Sequence, residues 1–458
     1  MIPILTPDEM TAVDTAAVAG GTSLETLIDR AGRAVALEAL QMLGGTYGRR
    51  VTVVAGPGNN GADGRVAAKV LSQRGVVVRV VEPDCAELGV NDLVIDAAFG
   101  TGFRDEYLAP SVNGAAVLAV DIASGIDGTT GAQRGIAVQA TRTITFGALK
   151  PGLVLGDGLA ASGEVKVAEI GLDVSSATCH LATDEDIRWW VPERKSNAHK
   201  WNSATWIIAG SRGLTGAARL AALGALRSSA GYVRLSTPGP GAGPEDPIEA
   251  IGFALPVEFW DRDVLYAQDR MSSIVIGPGL GRDDATKASV RTVVAGAECA
   301  VVVDADALWA LGDRPQRFTS GRRGPTVLTP HAGEFIQLIG GDIGADRVAA
   351  VRDLAVQTTA VVLLKGPTTI VAAPDGRTRL ITSGSRALAS AGTGDVLAGV
   401  IGAFLARGAD PFEAAAAAAH VHGRAGTELG DGMIASDLPR AIRWWLTRTT
   451  TEHLEIHS

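Results

Sequence analysis

A glycine-rich stretch at residues 56–64 carries side chains that could bind and transform a small molecule. Its first six residues, Gly-Pro-Gly-Asn-Asn-Gly, follow the spacing G-x-G-x-x-G, which is typical of phosphate-binding loops between a strand and a helix. Asn59, Asn60 and Asp63 add oxygen acceptors that such loops usually lack. Taken alone, the stretch indicates either a dinucleotide-binding loop or a turn that packs a helix onto a strand.

Two later segments place more acids and hydroxyls after predicted strands. Asp96 precedes the loop 100–106, and Asp121 precedes Ser124. Because the carboxyl ends of parallel strands meet at one edge of a sheet, we expect these residues to converge with Asn60. Asn60, Asp96 and Ser124 together offer oxygen ligands for a monovalent cation, and Asp121 offers a proton acceptor. The alternative for Asp96 or Asp121 alone is a helix cap or a turn.

The last third of the chain contains a second candidate site, where the sequence Ser390–Asp395 precedes an apolar helix. Backbone N–H groups at a helix N-terminus bind anions, and the helix dipole is expected to keep Asp395 ionised and able to accept a hydroxyl proton. Lys365, after a buried strand, offers positive charge for phosphoryl transfer. The alternatives are an ordinary helix cap at Asp395 and a solvated lysine.

Three more segments are predicted to face the same crevice: 210–217, 277–281 and 329–334. His331, in the third of them, is a proton donor, a substrate contact or a purely structural side chain. His420 and His422 are interpreted as packing or cap residues, because no acid has the spacing of a metal site.

Strand-length apolar runs alternate with helical stretches along most of the chain, which predicts parallel sheets covered by helices. A polar, charged segment near 183–200 separates two such series. The fold class is therefore α/β, with domains predicted at 1–190 and 194–458. The strands predicted for the first domain are 51–55, 76–81, 93–95, 117–120 and 143–146. Those predicted for the second are 206–209, 232–236, 273–276, 300–303, 326–328 and 360–364, with a hairpin of 369–373 and 378–382.

Length and composition exclude several classes of protein. A chain of 458 residues is too long for a single small module, and its net charge of −9, without basic clusters, argues against a nucleic-acid partner. Cys85, Cys179 and Cys299 lie too far apart to suggest a disulfide framework or a zinc site. No apolar run reaches about 20 residues, so we expect a cytoplasmic protein without a membrane partner.

The segments Val53–Gly64 and Thr145–Leu153 resemble the NAD(P)HX epimerases. The resemblance implies an N-terminal Rossmann-like three-layer sandwich that interconverts the R and S epimers of hydrated NAD(P)H with a potassium ion in its site. By this resemblance, Asn60, Asp96 and Ser124 hold the ion, and Asp121 is the candidate catalytic group. The implied substrate contacts are Asn59, Asn60, Gly61, Ala62, Asp63, Gly100, Thr101, Gly102, Phe103, Arg104, Asp105, Glu106 and Asp121.

The second half of the chain resembles the ribokinase-like superfamily and, within it, the ADP- or ATP-dependent NAD(P)HX dehydratases. The segments that carry this resemblance are 210–217, 277–281, 329–334, 365–369 and 390–395. The resemblance implies that Asp395 is catalytic and takes the proton of the substrate hydroxyl as this attacks the terminal phosphoryl group. Phosphate then leaves, and NAD(P)H is restored. The implied nucleotide contacts are Lys365, Gly366, Pro367, Thr368, Thr369 and Gly394, and the implied hydrate contacts are Ala217, Gly281, His331 and Asp395.

The sequence therefore predicts a two-domain repair enzyme that acts on NADHX and NADPHX, uses Mg²⁺ with ADP or ATP, and forms a homo-oligomer. ADP is the expected co-substrate, which would give AMP and phosphate. One alternative is a ribokinase-like kinase for a vitamin precursor or sugar, with an N-terminal nucleotide-binding module. Another is a first half that binds or scaffolds without turnover.

Overall fold

Alternating strands and helices build the chain, which divides into two units. The computed structural model describes residues 1–194, 196–239 and 247–451. The first unit is Ile2–His180, and the second comprises Met1 and Leu181–Ser458.

The first unit begins with a short strand and two helices, after which strands and loops alternate. Its elements in chain order are β1 (Ile2–Ile4), α1 (Pro7–Ala19), α2 (Leu24–Leu43), β2 (Arg50–Ala55), α3 (Asn59–Gln73), β3 (Val77–Val81), β4 (Leu93–Ala97), β5 (Tyr107–Leu108), β6 (Ala116–Val120), β7 (Gly135–Ile136), β8 (Arg142–Phe146), α4 (Pro151–Val154), α5 (Gly158–Ala161) and β9 (Glu164–Ala168). Strand β10 (Cys179–Leu181) follows at the boundary between the units.

The main sheet of the first unit is parallel, with the strand order β3-β2-β4-β6-β8-β9. Strands β4 and β6 are buried over almost their whole length, which explains their continuous apolar sequences. The chain runs from β2 outward to β3 and then returns to the other side of β2 to form β4. Ligands bind at such a reversal, outside the carboxyl ends of the strands.

The second unit contains a longer series of strands and helices. Its elements in chain order are α6 (Ile187–Trp190), β11 (Ala204–Ile208), α7 (Thr215–Arg227), β12 (Tyr232–Ser236), β13 (Ile251–Gly252), α8 (Trp260–Tyr266), β14 (Ser273–Ile276), α9 (Asp284–Gly296), β15 (Ala300–Val303), α10 (Asp306–Leu311), α11 (Gln316–Thr319), β16 (Thr326–Leu328), α12 (Ala332–Ile339), α13 (Arg347–Thr358), β17 (Val361–Leu364), β18 (Thr369–Ala372), β19 (Thr378–Ile381), α14 (Thr393–Ala406), α15 (Pro411–Leu429) and α16 (Leu438–Thr451).

Within this unit the strands are ordered β19-β18-β17-β16-β15-β14-β11-β12-β13. All neighbours from β17 to β13 are parallel, and β17, β18 and β19 are antiparallel. The direction of strand addition reverses between β11 and β14, so a second crevice is expected beyond these two strand ends. The loops after them are joined there, because the N–H of Gly210 donates to the carbonyl oxygen of Pro278 at 2.7 Å.

Helix α14 is buried along nearly all of its length and packs directly against α7. A Cβ at Gly399 would lie 2.0 Å from the carbonyl oxygen of Ala221, and a Cβ at Gly224 would lie 2.4 Å from that of Val396. The two helices therefore touch through their backbones, and only glycine fits at either position. The alanine-rich run 414–419 is buried within α15, which fits the high helix propensity of alanine.

The structure contains strands that the sequence did not predict (β1, β5, β7, β9, β10 and β13), and several predicted elements differ at their ends. Strand β1 precedes the first helix and was not predicted, because three residues are too few to show a strand periodicity. Helix α3 begins at Asn59 inside the glycine-rich loop, and α14 begins at Thr393 rather than near Asp395. None of the helices in the described part of the chain is long and apolar enough to cross a membrane.

Candidate active sites

A cavity of about 510 Å³ opens in the first unit beside the ends of β2 and β4. Its wall combines α1 and α2 with the loops that follow the strands. One side is aromatic, since the rings of Phe99 and Phe103 stack at 4.1 Å. The structure places these predicted substrate contacts in the lining: Asn59, Asn60, Asp63, Gly100, Thr101, Gly102, Phe103 and Asp121.

The remaining predicted contacts lie elsewhere in the same region. Arg104, Asp105 and Glu106 are exposed, and the Arg104 guanidinium donates to the carbonyl oxygen of Thr101 at 2.8 Å. Gly61 and Ala62 belong to the first turn of α3, outside the lining residues of the cavity. Their role as substrate contacts stays a prediction.

Asp121 is fixed by a buried lysine that the sequence analysis did not assign a role. The Lys150 ammonium donates to Asp121 Oδ1 at 2.5 Å, and the Thr145 hydroxyl donates to the same oxygen at 2.9 Å. The Lys150 side chain is only 2% exposed. Asp121 has a φ of 67°, a left-handed conformation that non-glycine residues adopt mainly where the surroundings enforce it, often at functional sites.

Two further carboxyls share this cavity. Burial, together with the nearby charges of Asp121 and Asp14, raises the pKa of Asp63 to about 8, so that its carboxyl is protonated at neutral pH. Burial likewise raises the pKa of Asp14, while Lys150 opposes that rise. Sequence reasoning missed Asp14 because it lies on α1, where polar residues resemble an ordinary solvated helix face.

The three predicted ion ligands are all buried. Asp96 Oδ1 accepts the Ser124 hydroxyl at 2.7 Å, and Asp96 Oδ2 accepts the Ser124 N–H at 2.8 Å. Burial raises the pKa of Asp96 to about 6, although these hydrogen bonds oppose the rise. Both polar atoms of the Asn60 amide are buried without a hydrogen-bond partner within the described residues. Such an amide needs a ligand to satisfy it.

In the second unit, Asp395 lies in the first turn of α14, after Gly392 with a φ of 89°. Burial, with the added repulsion of Asp304, raises the pKa of Asp395 to about 7, although Lys365 opposes the rise. Burial and the neighbouring acids therefore oppose the helix dipole, which the sequence analysis expected to keep this carboxylate ionised. The cost of desolvation outweighs the field at the end of the helix.

Lys365 brings the predicted nucleotide segment 365–369 to the start of α14. Its ammonium lies 2.8 Å from Asp304 Oδ1 and 4.0 Å from Glu334 Oε2. A Cβ at Gly394 would lie 3.4 Å from Lys365 Nζ, so these two predicted nucleotide contacts are neighbours. Sequence reasoning included Glu334 only as the end of the segment 329–334 and missed Asp304, whose signal was its position directly after the buried strand β15.

The predicted hydrate contacts have separate local roles. The N–H of Gly281 donates to Asp306 Oδ2 at 3.0 Å, and Ala217 lies against the loop at Gly279. His331 caps α12, since its Nδ1 accepts the N–H of Gly333 at 3.0 Å while the side chain is 59% exposed. The structural alternative for His331 is thus observed, and its role as a hydrate contact stays a prediction.

The two histidines of α15 have the packing roles that the sequence predicted. His422 Nε2 donates to the carbonyl oxygen of Thr393 at 2.9 Å, and burial lowers the pKa of His422 to about 4. His420 Nε2 lies 2.6 Å from Asp184 Oδ1. His422 therefore supports the turn that carries Asp395, a link that the sequence did not reveal.

Comparison with protein families gives a match in each half of the chain. Residues 205–447 match a family described as NAD(P)H-hydrate dehydratase. Residues 24–89 and 81–152 match a family described as YjeF-related protein N-terminus. The first match covers the strands and helices around Asp395, and the second covers those around Asp121.

A whole protein shows the same pairing, and solved structures match a part of the chain. The bifunctional NAD(P)H-hydrate repair enzyme Nnr of Salinibacter ruber is 36% identical, over 95% of this chain and 94% of its own length. The ADP/ATP-dependent NAD(P)H-hydrate dehydratase of Bacillus subtilis, co-crystallized with ATP/Mg²⁺, is 31% identical, with a TM-score of 0.51 over 59% of this chain and 98% of its own. A ribokinase-like superfamily protein of Enterococcus faecalis shares the fold at a TM-score of 0.53 and 23% identity, over 59% of this chain and 96% of its own. The chain therefore belongs to the family of bifunctional NAD(P)H-hydrate repair enzymes.

Proposed function

We propose that this chain restores hydrated NADH and NADPH in two steps, epimerisation in domain 1–190 and dehydration in domain 194–458. One observation carries the proposal: each unit places an acid beside a lysine, at the loops that follow the strands of its sheet. In the first, Asp121 pairs with Lys150. In the second, Asp395 lies with Lys365 and Gly394 at the start of α14.

In the dehydration step, Asp395 accepts the proton of the substrate hydroxyl, and the hydroxyl oxygen attacks the terminal phosphorus of the nucleotide. A pKa of about 7 suits a general base at neutral pH. With ADP as co-substrate, AMP leaves and the substrate carries a phosphate ester. The electron pair of the ring nitrogen then expels phosphate, and loss of a proton from the adjacent carbon restores the dihydronicotinamide ring.

Lys365 and the backbone N–H groups at the start of α14 neutralise negative charge on the nucleotide phosphates in this proposal. Magnesium binds phosphates and carboxylate oxygens, and Asp304 and Glu334 are acids beside Lys365 that fit this preference. The ion would supply further neutralisation of the transferred phosphoryl group. ADP is the proposed co-substrate, and ATP is the alternative.

In the epimerisation step, the hydroxyl proton passes to Asp121 as the bond between the hydroxyl-bearing carbon and the ring nitrogen breaks. The electron pair goes to the nitrogen, which takes a proton, and the carbon becomes an aldehyde. Asp63, protonated because its pKa is about 8, can hold the proton for the nitrogen. The nitrogen then attacks the other face of the aldehyde carbon. Its proton returns to Asp63, the new hydroxyl oxygen takes the proton back from Asp121, and the second epimer results. The stacked Phe99 and Phe103 offer a flat wall for the ring.

A potassium ion is proposed to bind Asn60, Asp96 and Ser124 through oxygen. The buried Asn60 amide, unpartnered among the described residues, is the observation that supports it. We expect KCl, compared with tetramethylammonium chloride at equal ionic strength, to raise the melting temperature of the first unit's transition in the wild type. Asn60→Ala is expected to lose that response. An equal response in both proteins would contradict the assignment of the ion to this site.

The activity is tested by mixing the full chain with chemically hydrated NADH or NADPH, Mg²⁺ and ADP or ATP. We expect the dihydronicotinamide absorbance to return in full, with both epimers consumed. If only the absorbance of the S epimer returns, and the R epimer is consumed no faster than it epimerises spontaneously, the epimerase assignment is wrong. If neither nucleotide restores absorbance, the dehydratase assignment is wrong, and the kinase alternative is then tested with vitamin precursors and sugars.

The proposal also includes a homo-oligomer and a cytoplasmic location. The first is checked by the mass of the purified chain in solution, and the second by cell fractionation. Neither affects the assignment of the reactions.

A further inference from the structure

Lys150 is the single basic group among the residues that line the cavity of the first unit. Its ammonium reaches three acceptors: Asp121 Oδ1 at 2.5 Å, the Thr145 hydroxyl at 2.8 Å and the carbonyl oxygen of Phe146 at 3.4 Å. An ammonium has three protons, so all three are used. Lys150 therefore acts on a substrate through Asp121 rather than by touching it.

The charges around Lys150 come from several elements. Asp14 projects from α1, Asp63 from α3, and Asp121 follows β6; these are the titratable side chains that share the cavity lining with Lys150. Asp96, behind the lining, is engaged by Ser124. Ionising all three carboxyls in one small cavity would cost much electrostatic free energy, because like charges repel strongly where there is little water.

Only one of the three cavity carboxyls has an ion pair among the described contacts. Both the Lys150 ammonium and the Thr145 hydroxyl bind Oδ1 of Asp121. Neither bond uses Oδ2, which is left to receive a proton from a substrate. The strained backbone at Asp121 holds the carboxylate in this arrangement.

We infer that Lys150 is a positioning residue for epimerisation, which keeps the negative charge of the three-carboxyl cavity on Asp121 rather than on Asp14 or Asp63. The inference rests on the proposed epimerase function and goes one step beyond it. It states which group selects the acid that acts as the base. It predicts that removal of the lysine charge impairs turnover and changes its pH dependence, while binding of the substrate changes little.

The test compares Lys150→Met with Thr145→Val in the full-length chain. Both variants remove a hydrogen bond to Asp121 Oδ1, but only the first removes a charge. We expect Lys150→Met to lower kcat for epimerisation about 100-fold, to change KM less than threefold, and to move the acidic limb of the kcat profile upward by at least one pH unit. The shift is upward because loss of the neighbouring positive charge makes a negative charge in this cavity more costly. Thr145→Val is expected to lose less than tenfold and to keep the acidic limb in place.

Two controls show whether a loss of epimerisation has another cause, such as misfolding of the variant. Dehydration of the pure S epimer takes place in the second unit and should be unchanged in both variants. Lys150→Arg retains the charge and should recover part of kcat with the wild-type pH limb, even if the packing is poorer. A wild type that does not epimerise would refute the function itself. If the wild type is active, two results would overturn the inference. One is a Lys150→Met variant whose acidic limb stays at the wild-type pH, and the other is a Lys150→Arg variant whose acidic limb shifts as much as that of Lys150→Met.

Discussion

Replacement of Asp395 by asparagine is expected to lower kcat for dehydration by roughly 1,000-fold, within the range known for removal of a general base. Asparagine keeps the shape of the side chain at the start of α14 but cannot accept the hydroxyl proton. The measurement is the return of dihydronicotinamide absorbance from the pure S epimer with saturating nucleotide. Binding of the nucleotide should persist, because Lys365 and the backbone N–H groups are unaltered.

The wild-type pH dependence gives an independent check on Asp395. The reacting form is the carboxylate, and its pKa is raised to about 7, so kcat/KM should fall tenfold per pH unit below about 7 and level off above it. The matched control for Asp395→Asn is Asp346→Asn, which makes the same substitution at the N-cap of α13. Asparagine caps a helix as well as aspartate does, so this control should keep the wild-type kcat. An Asp395→Asn enzyme with at least a tenth of wild-type kcat would show that the proton goes elsewhere.

Replacement of Asp121 by asparagine is expected to abolish epimerisation to within the spontaneous rate, a loss of roughly 100- to 10,000-fold. The variant removes the proposed proton acceptor and leaves the Lys150 ammonium buried without its anion. The assay follows consumption of the R epimer by the full chain with nucleotide present. The S epimer should still be dehydrated at the wild-type rate, which provides an internal control in the same protein.

Stability must be separated from chemistry in the Asp121→Asn variant. Removing one partner of a buried ion pair lowers the free energy of unfolding by about 3 to 5 kcal/mol. The first unit of the variant should therefore have a lower melting temperature. The double variant Asp121→Asn with Lys150→Met removes both charges, and we expect it to recover most of the lost stability and none of the activity. An unchanged epimerisation rate in Asp121→Asn would favour the alternative of a binding or scaffolding first half.

The buried parts of the fold were accessible from the sequence. Strands β12, β14, β15 and β16 have the predicted bounds. For β14, β15 and β16, which are buried throughout, the reason is that a parallel strand covered on both faces needs a largely apolar run between turns. The loops after such strands then had to meet at one edge. This placed Asn60, Asp63 and Asp121 around one cavity, and Lys365 and Gly394 beside each other.

What the sequence could not reveal depends on partners far apart in the chain. Lys150 becomes significant only when β6 and β8 pair and bring Asp121 next to it. Asp304 and Glu334 likewise gain meaning from their distances to Lys365. The rise in the pKa of Asp395 was hidden for the same reason, since desolvation and neighbouring acids are properties of the assembled site.

The backbone contact between α7 and α14 determines which parts of the second unit can rearrange during turnover. Gly224 and Gly399 leave no gap into which α14 could slide, and tightly packed interiors deform little. The carboxylate of Asp395 thus behaves as a fixed reference point. We therefore expect any closure over the nucleotide to come from the loops that surround the start of α14, and not from a shift of α14 itself.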